Sequence, residues 1–213
     1  KRGVEPGQLR GCIEMDPLGV MAHEGALPHS LEGAYHEMAH LTSWAVKHAP
    51  GLQTVCVHSR AWHEGGGSAV QELAFALAMG VEYLRALAKH GIGASEAAPR
   101  IRFAFTVGSQ FFMVIAKLRA ARMLWAKAVE AFGGDAAAQR LSAHVRTSLW
   151  NKTETDPYVN LLRATTEAFA GALGGCDSMQ VGPFDEVVRP PDEFSRRIAR
   201  NTQIILQQEA HLR

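Results

Sequence analysis

Cysteine is scarce: Cys12, Cys56 and Cys176 are the only three, and they lie far apart. An odd, scattered set excludes a disulfide framework. Two of the three fall in apparent strands, so buried free thiols in a reducing compartment are expected. An excess of one charge is missing too. With 22 Lys and Arg against 21 Asp and Glu, the formal net charge is +1. That leaves no basic surplus for a nucleic-acid or membrane-surface partner. No apolar run approaches the roughly 18 residues of a membrane span. No signal-peptide pattern opens the chain, and a cytoplasmic location is expected. A Rossmann glycine fingerprint, a P-loop and a Ser-His-Asp arrangement are all absent as motifs. What remains is an ordinary globular composition of 213 residues, 47% hydrophobic and 20% charged. It suffices for one core, and a single domain over residues 1–213 is expected.

The most informative stretch is Arg100 to Trp125. Arg102-Phe-Ala-Phe-Thr-Val107 alternates β-formers with smaller residues and predicts a strand. Gly108-Ser-Gln turns the chain. From Phe111, apolar Phe112, Val114, Ile115, Leu118, Ala121, Leu124 and Trp125 recur at helical spacing. Lys117, Arg119, Arg122 and Lys127 are spread around that helix; Lys117, Arg119 and Arg122 are expected as solvated charges or subunit contacts rather than phosphate ligands. Phe103, Phe105, Phe111, Phe112 and Trp125 are expected in the core.

Other segments repeat the unit. Residues 1–9 predict a polar lead-in and Leu9–Ile13 a short strand, followed by a turn at Glu14-Met-Asp-Pro-Leu. A helix is expected over about Leu31–His48, a strand over Gln53–His58 and a helix over Ser68–His90, ended near Gly91. Beyond Gly133-Gly134, Ala143–Thr147 predicts a strand. Asp156-Pro157 predicts an acidic cap with proline at the first helical position. That helix stops at Gly174-Gly175, Asp177–Val181 predicts a fifth strand, and Pro191 to about Ala210 a closing helix. Five βα units imply an α/β fold with a parallel sheet, either doubly wound or barrel-like.

Phe-Phe-x-x-Ile-Ala-Lys-Leu-Arg-Ala-Ala-Arg-x-Leu-Trp, ending at Trp125, resembles a signature of the methylmalonyl-CoA mutase family, the cobalamin-dependent acyl-CoA mutases. Ala69–Leu77, Asp156–Arg163 and Arg196–Gln203 resemble further family segments in the same order. The resemblance implies a (β/α)8 TIM-barrel-type fold, with these five units resembling strands four to eight. Five strands cannot close such a barrel alone. A longer polypeptide or a protein partner is therefore expected to supply the rest. The family's cobalamin domain carries an Asp-x-His-x-x-Gly motif, which is absent here. Adenosylcobalamin is thus expected to be held by a domain or chain outside this one, with acyl-CoA as the small-molecule partner.

The resemblance also assigns positions. Catalytic family members have Gly-Tyr-His-x-Gln-Glu-Ala-Gly-Ala where this chain has Ser59-Arg-Ala-Trp-His-Glu-Gly-Gly-Gly67. The family His becomes Ala61, which has no proton or dipole to offer a reacting group. Arg60 replaces the Tyr, and His63 is the nearest candidate base. This pattern is similar to the small, non-catalytic subunits. Glu14 and Glu24 stand where methylmalonyl-type chains have a Gln and a carboxylate-binding Arg; facing carboxylates would repel. Arg100 matches a coenzyme A-contacting Arg, with Arg102 replacing a Ser. His144 matches a family His, while Arg146 replaces its Gln partner. Glu186 matches a Glu facing the cofactor ribose, and Gly182 replaces a nearby Asn. A surface ion pair fits Arg100 and Glu186 equally, and a hydrogen-bonded strand histidine fits His144.

The function expected is therefore that of a mutase-like subunit or fragment of an isomerase, inactive alone and dependent on a partner. The alternative is an active adenosylcobalamin-dependent acyl-CoA mutase whose pocket is reshaped by Glu14, Arg60 and Arg146. His36-Glu37-x-x-His40 satisfies the zinc-hydrolase spacing. It falls on an expected outer helix, however, and no metal site is assigned to it.

Overall fold

A computed structural model describes residues 3–212; the first two residues of the expected lead-in lie outside this range. The strands are β1 Gly11–Met15, β2 Leu52–His58, β3 Ile101–Val107, β4 Ser142–Thr147 and β5 Ser178–Gln180. The helices are α1 Pro17–Glu24, α2 Leu31–His48, α3 Arg60–Glu64, α4 Ala69–Lys89, α5 Ala94–Ala97, α6 Phe111–Ala131, α7 Val159–Leu173 and α8 Glu193–Ile204. A π-helical turn, Ile205–Glu209, continues α8. The five strands form one parallel sheet in the order β1-β2-β3-β4-β5. A doubly wound sheet reverses its order at a switch point. Strictly sequential order is instead that of consecutive units in a (β/α)8 barrel. The fold is α/β of the TIM-barrel type.

The chain divides into two compact units. The first runs through Ala61 and includes Leu73–Phe103 and Ala121–Ser142. Its core sets Phe103 edge-on to Trp125, ring centroids 4.8 Å apart, with both residues fully buried. Gly80 makes this possible, because a Cβ there would lie 2.6 Å from Phe103 and 2.9 Å from Trp125. β1 and β2 pair Gly11 with Leu52 and Cys12 with Gln53, then Met15 with Val55. One extra β1 residue is thus accommodated in a bulge. Asp16 caps α1 by accepting from the Gly19 N–H at 3.1 Å.

The second unit holds Trp62–Glu72, Ala104–Ala120 and the chain from Ala143 onward. Ala164, Ala168, Val181 and Ala199 form a small-residue core, with Met179 and Leu206 packed against it. β4 alternates strictly, so Ala143, Val145 and Thr147 are buried while Ser142, His144 and Arg146 share the other face.

Several expectations are corrected. α1 replaces the turn read at the end of β1, and the family-motif stretch Ser59–Gly67 contains a short helix, α3. Asp156-Pro157 does not open α7: the helix begins at Val159, and its preceding residue, Tyr158, makes no side-chain cap. Phe112 is 82% exposed. The buried stripe of α6 is Val114, Lys117, Leu118, Ala121, Trp125 and Val129, and Phe112 lies off it. Lys117 lies on it, so this residue is not a solvated charge.

Candidate functional site

In the second unit, the buried stripe of α4 contains one charged residue, Glu72, and that of α6 contains Lys117. Neither charge is tolerable alone in a dry interior, and they meet. Lys117 Nζ donates to Glu72 Oε2 at 2.6 Å and to the Thr106 carbonyl at 2.6 Å. The other carboxylate oxygen accepts from the Thr106 N–H at 3.1 Å. Burial pushes the Lys117 ammonium pKa down, and Glu72 opposes that shift. Next to this pair stands His63. Its Nε2 is 2.8 Å from Ser148 Oγ and its Nδ1 is 3.4 Å from Glu72 Oε2. Ser148 Oγ also accepts from the Trp150 N–H at 3.0 Å.

The donors define one consistent sense. With the carboxylate of Glu72 able only to accept, the neutral tautomer that suits both contacts has His63 Nδ1–H donating to Glu72 and the Ser148 hydroxyl donating to Nε2. That is the polarity of a Ser-His-acid triad, assembled here without any linear motif. Its hydroxyl is nevertheless held in hydrogen bonds at the cleft wall, with Ser148 only 1% exposed. The chain of bonds therefore clamps His63 between Gly108, just after β3, and Ser148, just after β4. Gly108 is part of that fit, as a Cβ there would come within 3.3 Å of His63 Cε1. A cleft of about 320 Å³ opens at this point, lined by His63, Gly66, Gln110, Lys117, Ser148 and Trp150 among others. Catalytic groups of parallel barrels sit at this C-terminal end of the strands.

A second buried pair stands behind Ser148. Lys152 Nζ reaches Glu167 Oε2 at 2.8 Å, and Asn151 Nδ2 donates to Oε1 of the same carboxylate at 2.6 Å. Burial moves the Glu167 pKa up and the Lys152 pKa down, with each partner's charge opposing the shift. Also in this unit, Arg146 Nη2 donates to Glu186 Oε2 at 2.9 Å. Two positions assigned separately from the sequence are thus joined. His144 Nδ1 is 2.8 Å from Ser178 Oγ on the neighbouring strand.

The first unit holds the remaining assigned residues. Glu14 sits in the β1 bulge with φ +64° and its carboxylate 3.8 Å from His58 Nε2. Glu24 lies 2.7 Å from His23 Nδ1, so each carboxylate expected to repel the other has an imidazole beside it. Arg60 is exposed and Ala61 half-buried in α3. Arg100 donates from Nη1 to the carbonyl of Pro50 at the start of β3, away from the strand ends that carry chemistry, and Arg102 is half-buried on that strand. His36 and His40 share one face of α2 with ring centroids 4.5 Å apart; Glu37 faces His29 at 3.7 Å.

Asp16, unmarked in the sequence reading, ties this unit together. One oxygen accepts from Gly19 N–H and the Tyr83 hydroxyl, and the other from the His58 N–H at 2.9 Å. Burial pushes the Asp16 carboxyl pKa up against these bonds, and burial together with the adjacent Asp16 pushes the Tyr83 phenol up.

Comparison with known proteins agrees with this architecture. A family model described as Methylmalonyl-CoA mutase matches residues 1–213. Methylmalonyl-CoA mutase of Escherichia coli (strain K12) is 39% identical over 213 residues, covering 100% of this chain and 30% of that protein. The methylmalonyl-CoA mutase small subunit of Streptomyces virginiae is 44% identical over 211 residues, 99% of this chain and 33% of that subunit. That of Porphyromonas gingivalis (strain ATCC BAA-308 / W83) is 38% identical over 213 residues, 99% and 34%. The chain spans about a third of the length of these relatives. Matched from end to end by the family and by relatives at these identities, it belongs to the methylmalonyl-CoA mutase family.

Proposed function

We propose that this chain supplies part of the acyl-CoA-binding barrel of an adenosylcobalamin-dependent carbon-skeleton isomerase, as a partner-dependent and non-catalytic component. The observation that carries the reading is Ala61. The family's proton-donating His is replaced by a methyl group, and the nearest histidine, His63, is held by Ser148 and Glu72. It is therefore not free to swing into that role.

This chain carries no Asp-x-His-x-x-Gly run to ligate cobalt, so the cofactor would be held by a domain or chain outside it. Glu186, assigned to the cofactor ribose, accepts at Oε2 from Arg146 at 2.9 Å. The chain's own contribution is a wall: helix-covered apolar strand faces on one side, and half-buried His144 and Arg146 on the other.

A second reading, an active mutase of altered acyl specificity, is favoured by the cleft beside His63. Calorimetric titration with coenzyme A and short acyl-CoAs separates the two, with and without a cobalamin-loaded catalytic mutase subunit. The expected result is no saturable binding by the chain alone, and a stable complex that binds acyl-CoA once the subunit is added. Micromolar binding by the chain alone, with turnover of the complex lost in His63→Ala, would overturn the first reading in favour of the second.

A further inference from the structure

We infer that Glu14, Cys56 and His58 form a site for a divalent transition-metal ion of the zinc type, at the C-terminal ends of β1 and β2. Among the described residues they are the one set of three metal-ligating side chains whose candidate ligand atoms all lie within 4.8 Å of one another. Cys56 and His58 are two apart on β2, so the strand's period of two puts both side chains on one face. Glu14 arrives from the neighbouring strand.

Its arrival is built into the backbone. The extra β1 residue between Cys12 and Met15 shifts the register, and Glu14 takes up the shift at φ +64°. This conformation is uncommon for a residue with a side chain and costs on the order of 1 kcal/mol. In return its carboxylate comes within 3.8 Å of His58 Nε2. The frame under the trio is fixed. Asp16 holds the His58 backbone N–H at 2.9 Å and also caps α1 through Gly19. Cys56 is fully buried beneath, and Glu14 and His58 are half-exposed above.

The chemistry of the set selects the ion. Thiolate and carboxylate together balance a divalent charge, and imidazole adds a neutral nitrogen. Ligands at about 2.0–2.3 Å in a tetrahedron lie roughly 3.4–3.6 Å from each other. Closing on a metal therefore asks a contraction of at most about 1.4 Å from the 4.8 Å limit, which the half-exposed Glu14 and His58 can make by rotamer adjustment. Three protein ligands leave a fourth position open to water, the arrangement of a reactive rather than a purely structural zinc centre. The competing His36-Glu37-x-x-His40 face lacks this convergence: its glutamate points to His29, and its third neighbouring ring is His90, centroid 5.7 Å from His36.

The test is a cobalt(II) titration of the full chain, chelator-stripped and reduced, followed by zinc competition. It is independent of acyl-CoA binding and of any partner. One equivalent of cobalt should give a sulfur-to-cobalt charge-transfer band that zinc bleaches. Cys56→Ser should abolish the band, and Glu14→Gln and His58→Gln should each weaken binding at least tenfold. The urea midpoints of these last two variants, altered at half-exposed positions, confirm that the fold is intact. A missing band, a band that survives Cys56→Ser, or binding that survives His58→Gln but is lost in His40→Gln would overturn the assignment.

Discussion

Both units bury carboxylates near the ends of strands, and they satisfy them in opposite ways. In the first unit Asp16 is met by uncharged donors: two backbone N–H groups and the Tyr83 hydroxyl. In the second, Glu72 and Glu167 each receive a lysine ammonium together with a backbone N–H. Neutral donors answer the geometry of a carboxylate but not the loss of water around its charge, so burial wins and the Asp16 pKa rises. Burial also raises the Glu167 pKa, but there the Lys152 charge opposes the shift. An ammonium answers the charge as well, but it must itself be desolvated, and Lys117 and Lys152 are both shifted down by burial. One device makes protonation cheap; the other makes loss of either partner expensive.

The largest expected effect breaks the second device. Lys117→Ala leaves Glu72 charged and buried beside Thr106 and His63, and should cost about 3–5 kcal/mol in urea unfolding. The double variant Glu72→Leu/Lys117→Met should recover most of that loss, because apolar replacement of a whole buried pair is often nearly neutral. A single-variant loss below about 1 kcal/mol would mean water reaches the pair.

The first device is tested by pH. The folded pKa of Asp16 lies above its ordinary value of 3.8. The folded state therefore holds the proton more tightly than the unfolded chain. This contribution to stability is fully present below pH 3.8 and is lost as pH rises through the raised folded value. Asp16→Asn should remove that part of the slope, while costing about 1–3 kcal/mol through a mismatched donor. Equal slopes in the two proteins would contradict the burial of this charge. The smallest effect belongs to neither device. Phe112→Ser, at an 82% exposed position, should stay within about 0.5 kcal/mol of the parent in thermal unfolding.

Legibility in the sequence followed the range of the forces involved. α2 runs Leu31–His48 and α6 begins at Phe111, both as periodicity and turn residues predict. The two Asp-Pro pairs show where local signals stop being enough. Asp16-Pro17 opens a helix and Asp156-Pro157 does not. Asp16 is buried and engaged by Tyr83 and His58. Asp156 is exposed, and its carbonyl closes a turn with the Val159 N–H at 3.3 Å. The start of α7 is set by buried Asn160 instead, which binds the Thr153 backbone and the Phe184 carbonyl. Glu72 and Lys117 carried a readable signal, one charged residue on an otherwise buried stripe in each helix, but reading it required knowing where each stripe falls. The Glu14–Cys56–His58 trio carried none, because it depends on a bulge.

The sequence by itself determined the βα alternation, the five strands with their long helices, and the family, since these rest on repeats of a few residues and on linear motifs. Only the tertiary structure decided which polar groups meet. His63 and Ser148 are 85 residues apart and Glu72 and Lys117 are 45 apart. The physical reason is that a buried charge chooses its partner by adjacency in the packed fold, and the cost of leaving it alone makes that choice binding.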